Sequence, residues 1–510
     1  MHPSIRKIIS VDSHRASDRF AIANGVTGIA LMEKAGEAIA RAISDRWARR
    51  ETLAICGPGN SGGEGFVAAR HLADMGWPVT AALCYPPAQF CGDAAIMQGK
   101  WQGQSLPVEE VSISDYGLVI DAIFGAGLSR PLDEHLMALA DAIAQADIPV
   151  VAVDVPTGLH GDLARPINMA IRADLTVTFH QLKPAHCLQP GRGICGETVC
   201  ADIGIPKNWV TEIAPDAELN EPACWPDIPR SDAPDTHKHE KGRLCVVSGG
   251  ASATGAARLA AMAGLRAGAG LVTLFSPPSA MQVNATHLTA IMLQRFDGAQ
   301  GLIDALDARR ATATIIGPGC GQGDVTRELV VAAASREAPM ILDADALTSF
   351  ESDPDHLFQH LRTNDVLTPH GGEFARLFPE LSAGTGNKIE RTRLAAQKAG
   401  CTIVFKGADT VIAAPDGRVR VNLHAASALA TAGSGDVLAG IIGAFLAQGQ
   451  AGFNAASAAV WLHGDAGIRL GEGLIAEDIP TIFPAVVSDL WRARRKFAAR
   501  AALKQGRISA

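Results

Sequence analysis

The segment Ala430-Thr-Ala-Gly-Ser-Gly-Asp436 combines small residues with one carboxylate, directly before an apolar stretch that is typical of a buried helix. Backbone N–H groups at such a helix start can hold a transferring phosphate, and Asp436 can take the proton of an attacking hydroxyl. The alternative interpretation is an aspartate that caps the helix behind a glycine turn. Because Gly433 and Gly435 together exceed what capping needs, we predict phosphoryl-transfer chemistry here.

A second glycine-rich segment, Gly57-Pro-Gly-Asn-Ser-Gly-Gly-Glu-Gly65, follows a short apolar run and precedes a helical pattern. A loop of this kind presents N–H groups to a phosphate-bearing ligand. Its glycines satisfy GxGxxG, but residues 83–86, at the end of the next strand, supply no acid to hold a ribose. An ordinary dinucleotide-dependent redox site is therefore not predicted. The alternative is that these glycines only form a tight turn.

Two aspartates, Asp121 and Asp154, each stand at the end of an apolar run and before a glycine-containing turn. The carboxyl ends of strands line the ligand crevice of open α/β sheets, so we expect both carboxylates to face one site. Either one alone could be a turn former. Two of them beside a glycine-rich loop predict a catalytic or cation-binding site.

The elements that must position these residues follow from apolar runs that alternate with helical patterns. The first series of runs typical of strands lies at residues 53–56, 79–85, 118–124, 150–155 and 175–179. The second series lies at residues 244–247, 271–275, 313–316, 340–342, 365–367 and 402–405. This alternation predicts two parallel sheets that are covered by helices on both faces.

The two series are separated by residues 215–235, which are rich in proline, acids and small polar residues and are typical of a linker. We therefore predict two α/β domains, at residues 1–214 and 236–510. The second domain ends in a basic tail that could contact phosphate or form the solvated face of a terminal helix. The tail residues are Arg492, Arg494, Arg495, Lys496, Arg500 and Lys504.

The composition limits the possible partners and compartment. The formal net charge of the 510 residues is −8, with acids and bases interspersed, so no nucleic-acid partner is predicted. The N-terminus lacks a signal-peptide pattern and the cysteines form no CxxC pair, so we expect a cytoplasmic protein with reduced thiols. Gln448 and Asn454 interrupt the apolar residues 437–464, which favours two buried helices over a membrane span. We further expect a homo-oligomer.

The first domain resembles the NAD(P)H-hydrate epimerase domain, with a Rossmann-like three-layer α/β/α fold, in its segments 59–65, 125–131 and 154–158. The resemblance implies that Asp154 binds the substrate and acts as the base, and that Ser61, Asp121 and Thr157 hold K⁺. Ser61 and Glu64 depart from the family pattern, which has Asn and Asp there. The implied substrate-binding residues are Asn60, Ser61, Gly62, Gly63, Glu64, Gly125, Ala126, Gly127, Leu128, Ser129, Arg130, Pro131 and Asp154.

The second domain resembles the ribokinase-like superfamily of α/β/α proteins in the segment around Asp436. Within that superfamily it is similar to the ADP-dependent NAD(P)H-hydrate dehydratases, through segments at 237–242, 255–257, 317–319, 343–347, 368–373 and 406–410. Asp436 is then the catalytic residue. The residues implied to contact the hydrated cofactor are Ala257, Gly319, His370 and Asp436. Those implied to contact ADP are Lys406, Gly407, Ala408, Asp409, Thr410 and Gly435.

These resemblances imply metabolite repair: exchange of the R and S forms of hydrated NADH and NADPH, then ADP-dependent dehydration of the S form to give AMP and phosphate. Mg²⁺ is implied in the second domain, and the partners are small molecules, with no membrane partner. Two alternatives remain. The glycine–aspartate segment is shared by small-molecule kinases, and the departures at Ser61 and Glu64 would allow a first domain that binds nucleotide for regulation without catalysis.

Overall fold

The computed structural model describes residues 6–229 and 237–504, and the chain divides into two compact units whose boundary falls between Glu218 and Leu219. The predicted second domain begins at residue 236, outside the described residues. Residues 230–235 of the predicted linker and 505–510 of the predicted tail also lie outside them.

The N-terminal unit alternates strands and helices along most of its length. Its elements in chain order are β1 (Lys7–Ile8), α1 (Val11–Ala23), α2 (Gly28–Ser44), β2 (Thr52–Cys56), α3 (Asn60–Asp74), β3 (Val79–Leu83), α4 (Gly92–Lys100), β4 (Gln104–Pro107), β5 (Leu118–Ala122), α5 (Glu134–Ala146), β6 (Val150–Val153), β7 (Leu175–Phe179), α6 (Pro184–Cys187), α7 (Gly191–Cys195), β8 (Glu197–Ala201) and β9 (Ala217–Leu219).

Strands β2 to β8 form a parallel sheet in the order β4-β3-β2-β5-β6-β7-β8. Alternate side chains of β2 point to opposite faces. Ala54 and Cys56 belong to the apolar cluster that includes α2 and α3, whereas Leu53 and Ile55 belong to the cluster that includes α5. The predicted three-layer α/β/α architecture is confirmed, and the loops after β2, β5 and β6 lie at the carboxyl end of the sheet.

The C-terminal unit repeats this alternation and ends in three long helices. Its elements are β10 (Arg243–Val247), α8 (Gly255–Arg266), β11 (Leu271–Ser276), α9 (Met281–His287), β12 (Met292–Arg295), α10 (Gly298–Arg309), β13 (Ala313–Ile316), α11 (Asp324–Ala334), β14 (Met340–Leu342), α12 (Asp345–Thr348), α13 (Pro354–Phe358), β15 (Val366–Leu367), α14 (Gly371–Leu377), α15 (Pro379–Ala383), α16 (Lys388–Ala399), β16 (Thr402–Phe405), β17 (Thr410–Ala413), β18 (Val419–Asn422), α17 (Ser434–Ala447), α18 (Gly452–Leu470) and α19 (Asp478–Lys504).

The sheet of this unit runs β18-β17-β16-β15-β14-β13-β10-β11-β12. Its pairs are parallel from β12 to β16, and β17 and β18 join as an antiparallel hairpin. Leu244 and Val246 of β10 belong to the cluster of α8, α17 and α18. Cys245 and Val247, which alternate with them, are also buried, so both faces of the sheet are covered. The predicted α/β fold is confirmed for this unit too.

The apolar residues 437–464 form two helices, as predicted. Helices α17 and α18 are separated by a turn in which Gly449 takes a left-handed conformation, with φ +84°. A search of the described helices for a segment able to cross a membrane found none.

The predicted linker carries more structure than its composition indicates. Asn220 is buried, and its backbone N–H donates to the carbonyl of Val421 (2.8 Å), at the end of the C-terminal unit's sheet. Trp225 and Ile228 are 1% exposed and belong to that unit's apolar core. Residues 219–228 are therefore part of the folded C-terminal unit, so this stretch of the predicted linker is packed.

We expect Trp225→Ala to lower the free energy of unfolding by about 3–5 kcal/mol, the usual cost of removing a buried aromatic ring. The Trp225 indole N–H also donates to Asn220 Oδ1 (3.0 Å), so the substitution removes a buried hydrogen bond as well. Urea unfolding should be compared with that of Trp47→Ala, because Trp47 is only partly buried. Equal losses in the two variants would contradict the packing role of residues 219–228.

The basic tail is the C-terminal part of α19, and its described residues are not all solvated. The Arg494 guanidinium donates to the carbonyl of Trp225 (3.0 Å) and lies over that residue's ring. Arg492 pairs with Asp489 (2.7 Å) on the helix surface. The side chains of Arg500 and Lys504 lie outside the described residues. Arg494 is thus a packing residue, which removes it from any phosphate-binding face.

Two candidate active sites

A cavity of about 440 Å³ opens at the carboxyl end of the N-terminal unit's sheet. Most of the predicted substrate-binding residues line it, namely Asn60, Ser61, Glu64, Gly125, Ala126, Gly127, Leu128, Ser129, Arg130 and Asp154. Gly62, Gly63 and Pro131 are not among the lining residues. The loops after β2, β5 and β6 thus meet at one place, as the strand-end positions predict.

The glycine-rich loop packs closely against its neighbours and also borders the cavity. A side chain at Gly57 would come within 1.9 Å of the Ile123 carbonyl oxygen, and one at Gly62 within 1.8 Å of the Gly57 oxygen. Gly63 packs in the same way against Met32. These glycines are needed for close packing of the chain. Gly59 differs, since it faces open space and lines the cavity just before α3, where free N–H groups can receive an anion.

Asp154 is held by several hydrogen bonds. Its Oδ1 accepts from Lys183 Nζ (2.8 Å) and Thr178 Oγ1 (2.8 Å), and its Oδ2 accepts from the Ala126 N–H (3.2 Å). Its φ of +62° is strained for a residue with a side chain. Burial is the largest influence and acts to raise the pKa of Asp154, but the charge and hydrogen bond of Lys183, together with His14 and His186, hold the pKa below its usual value. Asp154 is therefore a weak base, which disfavours the predicted base role and leaves substrate binding.

Asp121 and Thr157, two of the predicted K⁺ ligands, are in direct contact. Thr157 donates through Oγ1 to Asp121 Oδ1 (2.7 Å) and through its N–H to Oδ2 (2.8 Å). Asp121 has no exposed surface, and this burial raises its pKa to about 6. The third predicted ligand, Ser61, lines the cavity beside Gly125.

Three residues of this cavity region carry no motif and were missed in the sequence. His14 and Asp18 of α1 line the cavity, with His14 Nε2 4.0 Å from Asp18 Oδ2. Lys183, just after β7, is fully buried against Asp154. The spacing of His14 and Asp18, four residues apart in a helical pattern, is the one signal that could have revealed a shared face.

A second cavity, of about 530 Å³, opens in the C-terminal unit. Five of the six predicted ADP-binding residues line it, namely Lys406, Gly407, Ala408, Thr410 and Gly435. Its remaining wall is largely apolar and includes Leu429, Leu438 and Val460, with polar side chains such as Asn422 and His463. Asp409, the sixth, is absent from the lining because its Oδ1 accepts from Lys388 Nζ (2.6 Å). Asp409 thus holds the loop and does not face this cavity.

Helix α17 begins at this cavity with the predicted glycine–aspartate segment. Gly433 has φ +85°, and Ser434, Gly435 and Asp436 form the first turn, where backbone N–H groups lack partners within the helix. A side chain at Gly435 would lie 3.5 Å from Lys406 Nζ. An ammonium group next to a helix N-terminus is an arrangement that binds phosphate.

Asp436 and Lys406 belong to a cluster of charged groups. Lys406 Nζ donates to Asp343 Oδ1 (2.7 Å) and lies 3.9 Å from Glu373 Oε2. Burial, and secondly the charge of Asp343, raises the pKa of Asp436 to about 6, although Lys406 acts in the opposite direction. A carboxylate with that pKa is suited to act as a general base near neutral pH.

The predicted cofactor-contacting residues differ in their exposure. The His370 side chain is 57% exposed and caps α14, accepting through Nδ1 from the Gly372 N–H (3.0 Å). The His370 side chain is therefore accessible to a ligand. Gly319 has φ +70° and closely approaches Ala253. Ala257 is fully buried in the core, so its predicted contact with substrate is not supported in this conformation.

Comparison with known proteins assigns the chain to a family. The family model described as NAD(P)H-hydrate dehydratase matches residues 244–481, and that described as YjeF-related protein N-terminus matches residues 28–185. The bifunctional NAD(P)H-hydrate repair enzyme Nnr of Thermofilum pendens is 34% identical over 490 residues, covering 90% of this chain and 91% of the relative. The chain belongs to this family.

A second member, from Moorella thermoacetica, is 36% identical over 504 residues, covering 91% of this chain and 93% of the relative. Among solved structures, an ADP/ATP-dependent NAD(P)H-hydrate dehydratase from Bacillus subtilis, co-crystallised with ATP and Mg²⁺, is 28% identical. It covers 51% of this chain and 94% of its own, with a TM-score of 0.44. Family membership makes the chain an NAD(P)H-hydrate repair enzyme, and a small-molecule kinase is not favoured.

Proposed function

We propose that the N-terminal unit exchanges the R and S forms of hydrated NADH and NADPH, and that the C-terminal unit dehydrates the S form with ADP, giving AMP and phosphate. The observation that carries the proposal is the start of α17. There, the first turn of the helix and the Lys406 ammonium lie at one cavity, and Asp436, whose carboxyl group has a raised pKa, belongs to the same turn although it is not among the lining residues.

The dehydratase unit solves a leaving-group problem. The hydroxyl on carbon six of the hydrated ring leaves poorly as hydroxide, and its phosphate ester leaves well. Asp436 removes the hydroxyl proton, while the N–H groups of α17 and Lys406 stabilise the phosphoryl group that passes from ADP. The electron pair of the ring nitrogen then expels phosphate and leaves an iminium ion. Transfer of a proton from carbon five of this ion to the departing phosphate forms the carbon–carbon double bond and restores the dihydropyridine ring.

The nucleotide is proposed to lie in the C-terminal cavity, where the apolar wall suits an adenine ring and Lys406, Gly407 and Thr410 are within reach of its phosphates. Mg²⁺, when bound, neutralises phosphate charge. In the part of the chain that the structure describes, no three His, Cys, Asp or Glu residues are arranged to hold a metal ion.

K⁺ is proposed to bind beside Asp121, Thr157 and Ser61. The chemistry of the donors fits, because hard cations prefer carboxylate and hydroxyl oxygens. A buried carboxylate is costly unless a positive charge compensates it. The interactions that lower the pKa of Asp121 are hydrogen bonds from Thr157 and Ile123, and no cationic side chain is among them. A bound cation would supply that compensation.

Ser61→Asn should lower the KCl concentration that gives half-maximal epimerisation, because the amide oxygen reaches farther from the backbone than a hydroxyl does. The K⁺ affinity of the site should be lower in the wild type than in relatives that have Asn.

Glu64→Asp removes a methylene in the same loop and could shift the substrate by about an ångström, enough to change the epimerisation rate by about a hundredfold.

The effects of Ser61 and Glu64 can be separated by measuring the epimerisation rate against KCl concentration in the wild type, Ser61→Asn, Glu64→Asp and the double variant. A gain in the double variant beyond the sum of the single effects indicates coupled positions. If Ser61→Asn changes neither the half-maximal KCl concentration nor the rate, Ser61 is not at the cation.

The phosphoryl-transfer step is tested by the products formed from ADP. With the S form of hydrated NADH, each NADH produced should be matched by one AMP and one phosphate, measured by chromatography and phosphate assay. A kinase would instead yield a stable phosphorylated product without release of phosphate, and that outcome would overturn the dehydratase proposal.

A further inference from the structure

Helix α1 presents two titratable side chains to the N-terminal cavity. Asp18 retains 35% exposure of its side chain there, whereas His14 is 14% exposed. Nδ1 of His14 is buried and has no hydrogen-bond partner within the described residues. A buried ring nitrogen without a partner costs about 1–3 kcal/mol, so such a group is usually retained for a purpose other than stability.

The N-terminus of α1 is fixed by carboxylates from distant parts of the unit. The backbone N–H of Val11 donates to Asp162 Oδ1 (2.9 Å), and that of Ser10 donates to Asp216 Oδ2 (2.7 Å). Acidic groups at a helix N-terminus also interact favourably with its dipole. These contacts determine where the first two turns of α1 lie, and therefore where His14 and Asp18 lie.

The other carboxyl groups of the cavity are less suited to accept a proton. Asp154 accepts hydrogen bonds from Lys183, Thr178 and Ala126, which stabilise its ionised form. Burial and the charges of Asp154 and Asp18 raise the pKa of Glu64 well above its usual value, which favours its protonated form. Asp18, by contrast, lines the cavity with part of its side chain exposed, so it can reach a ligand.

We propose that Asp18 is the proton-carrying catalytic residue of epimerisation and that His14 is its positioning residue. This rests on the proposed epimerase function. The Asp18 carboxylate accepts the proton of the ring hydroxyl as the bond between carbon six and the ring nitrogen breaks. The electron pair of that bond moves onto the nitrogen, in conjugation with the carboxamide, and an aldehyde forms.

Rotation about the bond between carbons five and six then exposes the other face of the aldehyde. The nitrogen re-forms its bond to carbon six, and the oxygen takes the proton back from Asp18. No atom is gained or lost over the cycle. One proton carrier is sufficient for both directions, which agrees with His14 and Asp18 lying on the same helix face.

Electrostatics support this role. Burial, with a contribution from Asp154, raises the pKa of Asp18 to about 6, while Lys183 and Arg19 lower it. Burial and Lys183 lower the pKa of His14 to about 3, so this ring is neutral at pH 7. The charged and titratable side chains around Asp18 include His14, Arg15 and Arg19 of its own helix and Glu64, Asp154 and Lys183 of other segments. The epimerisation rate should rise as the pH increases through about 6, because the ionised carboxylate is the base.

The first test is Asp18→Asn, with both activities measured on the full-length chain. Epimerisation of hydrated NADH should fall by about 10²- to 10⁴-fold, the usual contribution of a positioned base, while ADP-dependent dehydration of the S form is unchanged. The matched control is Asp141→Asn, an exposed aspartate on α5 of the same unit that lies outside the cavity. Wild-type epimerisation in Asp18→Asn would overturn the inference.

The variants Asp18→Glu and Asp18→Gln distinguish a folding defect from a chemical one, because the Glu and Gln side chains have almost the same size and only Glu can carry the proton. Glu should retain part of the activity and Gln should not, and equal rates in the two variants would contradict the proton role. His14→Gln should displace the pH–rate profile to lower pH by letting water solvate Asp18. An unchanged profile would remove His14 from the proposal. If the wild type itself fails to interconvert the epimers, the epimerase function fails, and the role of Asp18 falls with it.

Discussion

Replacement of Asp436 by Asn should abolish ADP-dependent dehydration, with a loss of about 10²- to 10⁴-fold, and leave epimerisation unchanged. The substitution keeps the size of the side chain and the first turn of α17 but removes the group that accepts the hydroxyl proton. Because the pKa of Asp436 is raised to about 6, mainly by burial, the wild-type dehydration rate should rise with pH through that value as the base ionises.

The measurement is single-turnover formation of NADH from the S form with saturating ADP, in parallel with chromatographic exchange of the epimers. Asp324→Asn is the matched control, since Asp324 also lies in the first turn of a helix in the same unit but is exposed and paired with Arg327. Loss of both activities in a folded Asp436→Asn protein would contradict two independent sites.

Lys183→Met should abolish epimerisation and lower the free energy of unfolding by about 3–5 kcal/mol. Lys183 has no exposed surface, and its ammonium donates to Asp154 Oδ1 (2.8 Å), Thr178 Oγ1 (2.9 Å) and the Phe179 carbonyl (3.2 Å). Its removal leaves the Asp154 carboxylate buried without a cation, which is more costly than removing both charges.

The double variant Lys183→Met with Asp154→Asn should therefore recover much of the stability without recovering epimerisation. Urea unfolding of the four proteins measures the coupling between the two positions. Dehydration of the S form serves as the internal control for the C-terminal unit. If the double variant is as destabilised as the sum of the two single variants, the ion pair is not the source of the loss.

The parts of the fold and sites that could be predicted from the sequence are those with local signals. Buried parallel strands such as β2 and β5 are continuous apolar runs, and the residues just after them lie at one edge of the sheet whatever the details of packing. Asp121, Asp154 and the glycine-rich loop were located in this way. The start of α17 is also local, because glycines before an apolar stretch indicate a helix N-terminus on their own.

Contacts between residues that are distant in the sequence could not be predicted, because they leave no local sequence signal. Lys183 and Asp154 are paired across 29 positions of the sequence, and distant carboxylates help to hold the N-terminus of α1 beside the cavity. Residues 219–228 have the composition of a linker, and only their neighbours in the folded unit make Trp225 a core residue. The strands β17 and β18 form a hairpin beyond the parallel region, where the alternation of strands and helices ends.

The claim that one chain holds two separate sites is tested most directly with the pure R form of hydrated NADH and ADP. Wild type should convert it completely to NADH. Lys183→Met should convert it no faster than the uncatalysed exchange, and addition of the Asp436→Asn protein, itself unable to dehydrate, should restore conversion. Failure of the mixture, with each variant retaining its other activity, would contradict the account, as would conversion of the R form by Lys183→Met at the wild-type rate.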